Sequence, residues 1–432
     1  LIILDASALN VGLPAINHDF GGSLSGLQWV VDSYVLTFAA LLLSAGTLSD
    51  RIGANRAFAW GLAIFSAASV ACGVAPNLTT LIIARIAQGG AAALMLPASL
   101  AQVRHAYEHA AQRARAISIW TAGGASAVAA GPVAGGLLVS AWSWRGIFLI
   151  NLPVGILGLV LLARTRFRAP RQAAALDVIG QVTAVVTLAA TTYAVIEGGH
   201  GGYRTPRVGV AIMIAIVAAA TFIFAEAKVR EPMIPLNLFR SRAVSISLIS
   251  GFVLNAGFYG TFFVLSLYVQ QIRGFSPFQA GLLFVPVSLV ITVVNLTWPS
   301  LARRFGPRVS IVAGQATMML GLFGLIAIDS TTSAFVLAAL LIPVGLGGAL
   351  AVPTLTSILL NGVSADRAGL AAGVFNAVRQ VGAGIAVAVF GSLVAGSESF
   401  LSGMTASALT AIVLLLGAAT ATLMVTLPTA DH

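Results

Sequence analysis

The sequence predicts an all-α membrane protein of fourteen transmembrane helices, two six-helix bundles with two inserted helices between them. Three observations carry that reading: a composition too apolar for water, a succession of span-length apolar runs, and an internal repeat. Of 432 residues, 58% are hydrophobic and 8% charged, and the mean hydropathy is +0.98. A water-soluble chain carries roughly 25% charged residues. Too little polar surface remains to coat a soluble body of this length, so lipid must cover much of it.

A span needs about 20 mainly apolar residues. Such runs fall at roughly 1–17, 27–48, 57–75, 78–101, 115–139, 144–163, 176–197, 207–227, 243–270, 277–300, 308–328, 333–356, 367–394 and 403–427. The first is already under way at Leu1, so that helix is expected to begin upstream, and no signal peptide is visible. Basic residues gather in the loops that follow even-numbered spans: Arg51 and Arg56, Arg104 to Arg115, Arg164 to Arg171, Lys228 to Arg242, Arg303 to Arg308, and Arg367. Loops after odd-numbered spans hold only Arg145, Arg204, Arg207 and Arg273. The positive-inside rule then places the even-numbered loops and both termini in the cytoplasm. Cations dispersed in this way are topology signals, and the net charge of +10 does not indicate a nucleic-acid partner. Cys72 is the single cysteine, which excludes an intramolecular disulfide and a CxxC site. The histidines show no HExxH-type spacing, and no nucleophile–base set suggests catalysis.

The repeat appears twice. Gly89-Gly-Ala-Ala-Ala-Leu-Met-Leu-Pro97 reads against Gly345-Leu-Gly-Gly-Ala-Leu-Ala-Val-Pro353, and Leu48-Ser-Asp-Arg-Ile-Gly53 against Leu301-Ala-Arg-Arg-Phe-Gly306. Two matches at nearly one spacing imply parallel six-helix halves. The expected organisation is an N-terminal bundle over 1–163, basic linkers with the inserted helices over 164–242, and a C-terminal bundle over 243–427.

Charges inside spans are costly, about 2.5–3.5 kcal/mol each on insertion scales, and are kept mainly where they face a wet cavity or a partner. Asp5, Asp32, Arg85 and Arg379 lie inside spans, with Glu197 and Glu226 near span ends. At about 1.5 Å of rise per residue, Asp32 and Arg85 fall at similar depths and an Asp32–Arg85 pair is expected. Asp5 and Arg379 lie nearer mid-membrane, so that all four are expected to line one central cavity. No acid falls inside spans nine to fourteen. Asp5, Asp32 and Glu197 are therefore the candidates for binding a coupling proton, and Glu226, beside Lys228, reads as a surface anchor.

Local motifs sharpen this. Gly46-Thr-Leu-Ser-Asp50-Arg51-Ile-Gly53-Ala-Asn-Arg56 resembles the signature loop of the major facilitator superfamily, departing from it at Ala54 and Asn55, where basic residues are usual. Leu81-Ile-Ile-Ala-Arg85-Ile-Ala-Gln-Gly89 is similar to its intramembrane arginine motif, and Gly131-Pro132-Val-Ala-Gly135-Gly136 to its antiporter motif. With Leu4-Asp5-Ala-Ser-Ala-Leu-Asn10 to Pro14, Trp29-Val-Val-Asp32-Ser-Tyr34, Trp144 to Pro153, and Asn376-Ala-Val-Arg379-Gln380, the whole chain resembles the fourteen-helix drug:proton antiporters, in particular the antibiotic-export branch typified by methylenomycin A resistance. That resemblance implies alternating access, gated by Gly46, Asp50, Arg51, Gly53 and Arg56. It also implies a cavity lined by Asn10, Tyr34, Arg85, Asn376, Arg379 and Gln380. The expected function is proton-coupled export of small amphipathic compounds from a bacterial plasma membrane. The alternative is export of a lipid or an endogenous metabolite. A channel or receptor fits less well, since the chain shows no filter sequence and no appended soluble domain. The expected partners are a small-molecule substrate, protons and lipid, with no cofactor and no metal, in a monomer.

Overall fold

The computed structural model describes residues 1–107, 109–164, 177–229, 232–234, 236–363 and 368–425. Arg166, Arg168, Arg171, Arg230 and Arg367, read above as topology signals, lie outside them, as does Asp366. Every regular element among the described residues is helical. The chain divides into two compact units, the first formed by Leu1–Ala190, Met213–Met233 and Ser276–Gly281, the second by Thr191–Ile212, Ile234–Phe275 and Leu282–His432.

The first unit opens with α1 (Ile2–Phe20), α2 (Leu24–Ile52), α3 (Ala54–Gly73), α4 (Leu78–Ala106) and α5 (Ala110–Ala141). A short α6 (Arg145–Leu149) runs into α7 (Asn151–Arg164). Helix ends follow local chemistry. Ser23 and Asn77 cap α2 and α4 by accepting from the amides of Gly26 and Thr80, which satisfies donors that an N-terminus leaves open. Gly21 ends α1 in the left-handed conformation, where a Cβ would be strained. α2 and α3 both pack on α4, α1 packs on α5, and α3 on α6 and α7.

The inserted helices are α8 (Val178–Gly201) and α9 (Pro206–Lys228), and each contributes one part to each unit. The second unit continues with α10 (Arg242–Leu267), which passes into a π-helical turn at Tyr268–Ile272. It then comprises α11 (Pro277–Leu283) from its C-terminal part on, α12 (Val285–Phe305), α13 (Pro307–Ile326), α14 (Ala334–Asn361), α15 (Ala368–Ala395) and α16 (Phe400–Met424). The pairing scheme of the first unit recurs: α12 and α13 pack on α14, α10 on α15, and α13 on α16. Ser333 caps α14 through the amide of Val336 as Asn77 caps α4. Gly53 (φ 91°) and Gly306 (φ 81°), matched in the sequence repeat, each form a one-residue corner between consecutive helices.

Polarity is arranged for lipid. Trp60, Ile83, Leu320 and Val413 are exposed, whereas Asp5, Arg85, Gln88 and Asn151 are buried. Between such helices van der Waals packing replaces the hydrophobic drive, so small residues permit close approach. A Cβ on Gly89 would overlap the Tyr34 carbonyl of α2. The repeat-related Gly345 meets the Val287 and Ile291 side chains of α12 in the same way.

Twelve helices among the described residues are long and apolar enough to cross a membrane, where the sequence suggested fourteen spans. The difference falls on α1 and α5. α1 carries Asp5, Asn10, Asn17, His18 and Asp19, polar groups that dilute its hydropathy. Among the described residues the apolar stretch of α5 is Ser126–Ala141, shorter than a span.

Candidate functional site

Within the first unit α1, α3, α4 and α7 converge on a buried polar network. Asp5, Ser69, Arg85, Gln88 and Asn151 are each at most 1% exposed. Asp5 is the hub. Its Oδ2 accepts from Arg85 Nη1 at 2.5 Å, and its Oδ1 from Asn151 Nδ2 at 2.7 Å and Gln88 Nε2 at 3.1 Å. Gln88, one turn after Arg85 on α4, accepts from Arg85 Nη1 at 2.8 Å and donates to Ser69 Oγ at 2.7 Å. Arg85 Nε donates to the Val30 carbonyl of α2 at 3.1 Å. The Arg85 guanidinium lies 4.1 Å from the Tyr34 ring centroid and 5.8 Å from that of Phe148, a cation–π setting. A buried ion pair is retained only when such further hydrogen bonds occupy its remaining donors and acceptors.

Arg85 therefore pairs with Asp5, and the expected Asp32–Arg85 pair is not formed. Counting rise from separate helix ends assumes that the ends lie level and the helices run parallel, and it ignores the reach of an arginine stem. Asp32 stands apart: it is fully buried on α2, and neither carboxylate oxygen meets a hydrogen-bond partner among the described residues. Gln88, Ser69 and Asn151 were not singled out from sequence. Gln88 and Asn151 lie inside the arginine motif and the Trp144–Pro153 motif, so a polar side chain within each was the available signal.

The antiporter-motif glycines bring α5 against the helix that carries Asp5. A Cβ on Gly131 would overlap Ser7, and one on Gly135 would lie 2.7 Å from the Ala8 carbonyl. Pro132 follows Gly131 within α5, and a Cβ on Gly136 would lie 2.5 Å from the Pro277 carbonyl. The signature segment is mostly helix: Gly46, Asp50 and Arg51 occupy the last turns of α2, Gly53 is the corner, and Arg56 lies in the first turn of α3. Asp50, Arg51 and Arg56 are exposed. Asn10 is half-buried on α1.

In the second unit Arg379 of α15 is joined to Asn255 of α10. Asn255 Oδ1 accepts from Arg379 Nε at 3.2 Å and Nη2 at 3.1 Å, while Asn255 Nδ2 donates to the Arg379 carbonyl at 3.0 Å. Asn376 Oδ1 accepts from Arg379 Nη1 at 3.5 Å. Asn255 was missed from sequence because it belongs to none of the recognised motifs. Gln380 is half-buried beside Arg379. Glu197 is half-buried four residues before the end of α8. Glu226 is not the surface anchor expected from its neighbour Lys228: it is 3% exposed and lies with Asp177 around Gly180.

At one end of the first unit Asp19 Oδ2 accepts from Trp144 Nε1 at 2.8 Å and from Arg145 Nη1 at 2.7 Å. The Trp144 hydrogen bond, then that from Arg145, holds the Asp19 carboxyl below its ordinary value.

Comparison with known proteins places these features in context. The family described as Major Facilitator Superfamily matches residues 1–387. Multidrug resistance protein Stp of Mycobacterium tuberculosis (strain CDC 1551 / Oshkosh) is 39% identical over 396 residues, covering 91% of this chain and 74% of the relative. The Methylenomycin A resistance protein of Streptomyces coelicolor is 35% identical over 404 residues, covering 94% and 85%. The Cephamycin export protein CmcT of Amycolatopsis lactamdurans is 35% identical over 415 residues, covering 93% and 85%.

Proposed function

The chain belongs to the Major Facilitator Superfamily, and on that premise we propose that it exports small amphipathic compounds, antibiotics among them, in exchange for protons. Relatives named for multidrug resistance, methylenomycin resistance and cephamycin export support the direction and the substrate class. The observation that carries the coupling is Asp32, a fully buried carboxylate without a hydrogen-bond partner among the described residues. It lies in the same unit as an Asp5 whose charge is already matched by Arg85. A lone carboxylate in such surroundings is tolerable when it carries a proton and costly when it does not. Asp32 is then the group that takes up and releases the transported proton, and Asp5 is a structural counter-ion.

In this reading α1 and α5 complete fourteen spans, and the basic loops hold both termini in the cytoplasm of a bacterial inner membrane. The two six-helix halves alternate access as in parallel-repeat transporters. Charge contacts at Asp50 and Arg51 bias the two access states. The protein works as a transporter without catalysis or a cofactor, and as a monomer.

The test uses purified protein in proteoliposomes with an imposed pH gradient and a pH-sensitive dye. Wild type should release protons on addition of a transported antibiotic. Asp32→Asn should lose gradient-driven transport and keep downhill exchange. Gradient-driven transport at the wild-type rate in Asp32→Asn would refute the assignment.

A further inference from the structure

Among the described residues Arg379 is a cation without a counter-ion. It lies eleven residues into α15, about 16 Å along the helix from the nearer end. The described acids of the second unit, Glu197, Asp329 and Glu398, all fall at helix ends or between helices. Among the described residues Arg379 forms no ion pair, whereas Arg85 of the first unit has Asp5 at 2.5 Å. Among the described residues its side-chain hydrogen bonds go to the amide oxygens of Asn255 and Asn376. Amide oxygens orient a guanidinium and leave its charge in place. Three of the five N–H donors of the group are used, and two meet no acceptor among the described residues.

The surroundings hold the arginine in one pose. Asn255, itself 7% exposed, grips both the guanidinium and the Arg379 backbone carbonyl. Gly251, one turn earlier on α10, makes room: a Cβ there would lie 3.2 Å from Arg379 Cγ and 2.5 Å from Phe375 Cε2. The Phe375 ring centroid is 5.6 Å from the guanidinium. The residue as a whole is half-buried. An intramembrane cation held in this way, with donors unspent, is kept at a cost that structure alone does not offset.

From this we infer that Arg379, positioned by Asn255, binds an anionic group of the exported compound, a carboxylate or equivalent oxyanion. The inference rests on the efflux reading above and narrows its substrate class to amphipathic organic anions. A carboxylate accepts from the two unspent N–H groups in charge-assisted bonds and supplies the missing negative charge. A cationic compound meets repulsion at the same point, and a neutral one leaves the charge unmatched.

The test measures export from proteoliposomes of benzylpenicillin, nalidixic acid and fusidic acid, each paired with its methyl ester, and of ethidium and tetraphenylphosphonium. Wild type should prefer the carboxylates to their esters by about tenfold or more. Arg379→Gln should collapse that ratio, and Arg379→Lys should keep part of it. Asn255→Asp, which sets a carboxylate against the guanidinium at unchanged size, should collapse the ratio too, and it decides the matter if Arg379→Gln fails to fold. A ratio is informative because impaired folding or turnover alone does not change it. Preference for the esters or the cations, or a carboxylate preference that survives in both variants, overturns the anion site and leaves the efflux reading standing. Export of none of these compounds overturns both.

Discussion

Two aspartates that look alike in sequence differ in what their removal should do. Asp5 neutralises Arg85 and accepts from Gln88 and Asn151. Asp5→Asn leaves a buried guanidinium uncompensated, a loss of about 3–5 kcal/mol, read as a large fall in the thermal unfolding temperature of the purified protein. Asp5→Asn combined with Arg85→Gln should recover part of it. Asp32 has no such partners among the described residues, so Asp32→Asn should leave the unfolding temperature unchanged or raise it. Equal destabilisation by the two single substitutions would contradict the assigned roles. Asp19 provides a pH-dependent case. Its carboxyl is held below the ordinary value by Trp144 and Arg145, so its stabilising contacts are complete above about pH 4 and are lost as pH falls through the depressed folded value. The difference in unfolding temperature between wild type and Asp19→Asn should therefore shrink on acidification below about pH 4. A difference constant down to pH 3 would argue against the contact.

At the scale of the element, the helix corners are set by two glycines. Gly53 and Gly306 adopt φ of 91° and 81°, where a Cβ clashes with the neighbouring peptide, so each alanine substitution should cost about 1–3 kcal/mol. Gly306 has no neighbouring atom within 4 Å of a Cβ, so its penalty is purely one of backbone conformation. Reduced thermal stability in both Gly53→Ala and Gly306→Ala is the expected result, and an unchanged unfolding temperature in either would show that the corner relaxes freely. The sequence repeat matched Gly53 to Gly306 but left loops of several residues between the spans, and the structure reduces each to a single glycine. The close approach of α5 to α1 was only partly legible in sequence. Gly131 and Gly135 announce a tightly packed helix, but a glycine does not name its neighbour, and only the fold identifies Ser7 and Ala8.

Over the whole molecule the inserted helices are among the least buried. Of their apolar stretches 22% is buried in α8 and 28% in α9, against 67% in α2 and 78% in α10, while the repeat-half span Arg145–Arg164 is likewise 28% buried. Most of the surface of these two helices is thus left exposed. In the first unit Gln181 Nε2 donates to the Ala40 carbonyl of α2 at 3.0 Å. In the second, Ser392 Oγ of α15 donates to the Val195 carbonyl of α8 at 2.8 Å. Glu197, a candidate for proton coupling from sequence, stands near the end of α8 and outside the Asp5–Arg85 network. Glu197→Gln should retain wild-type export and its pH profile, and loss of gradient-driven transport would return this residue to the coupling path. The sequence by itself determined the solvent of this protein, its helical class, its repeat and the residues whose charge must be explained, because composition, span length and the cost of intramembrane charge are properties of the chain read in order. Pairing was decided by tertiary structure alone. Whether Arg85 meets Asp5 or Asp32, and that Arg379 meets asparagines and no acid, depends on helix tilt, rotation and the reach of side chains across distant segments, and none of these has a period that the sequence displays.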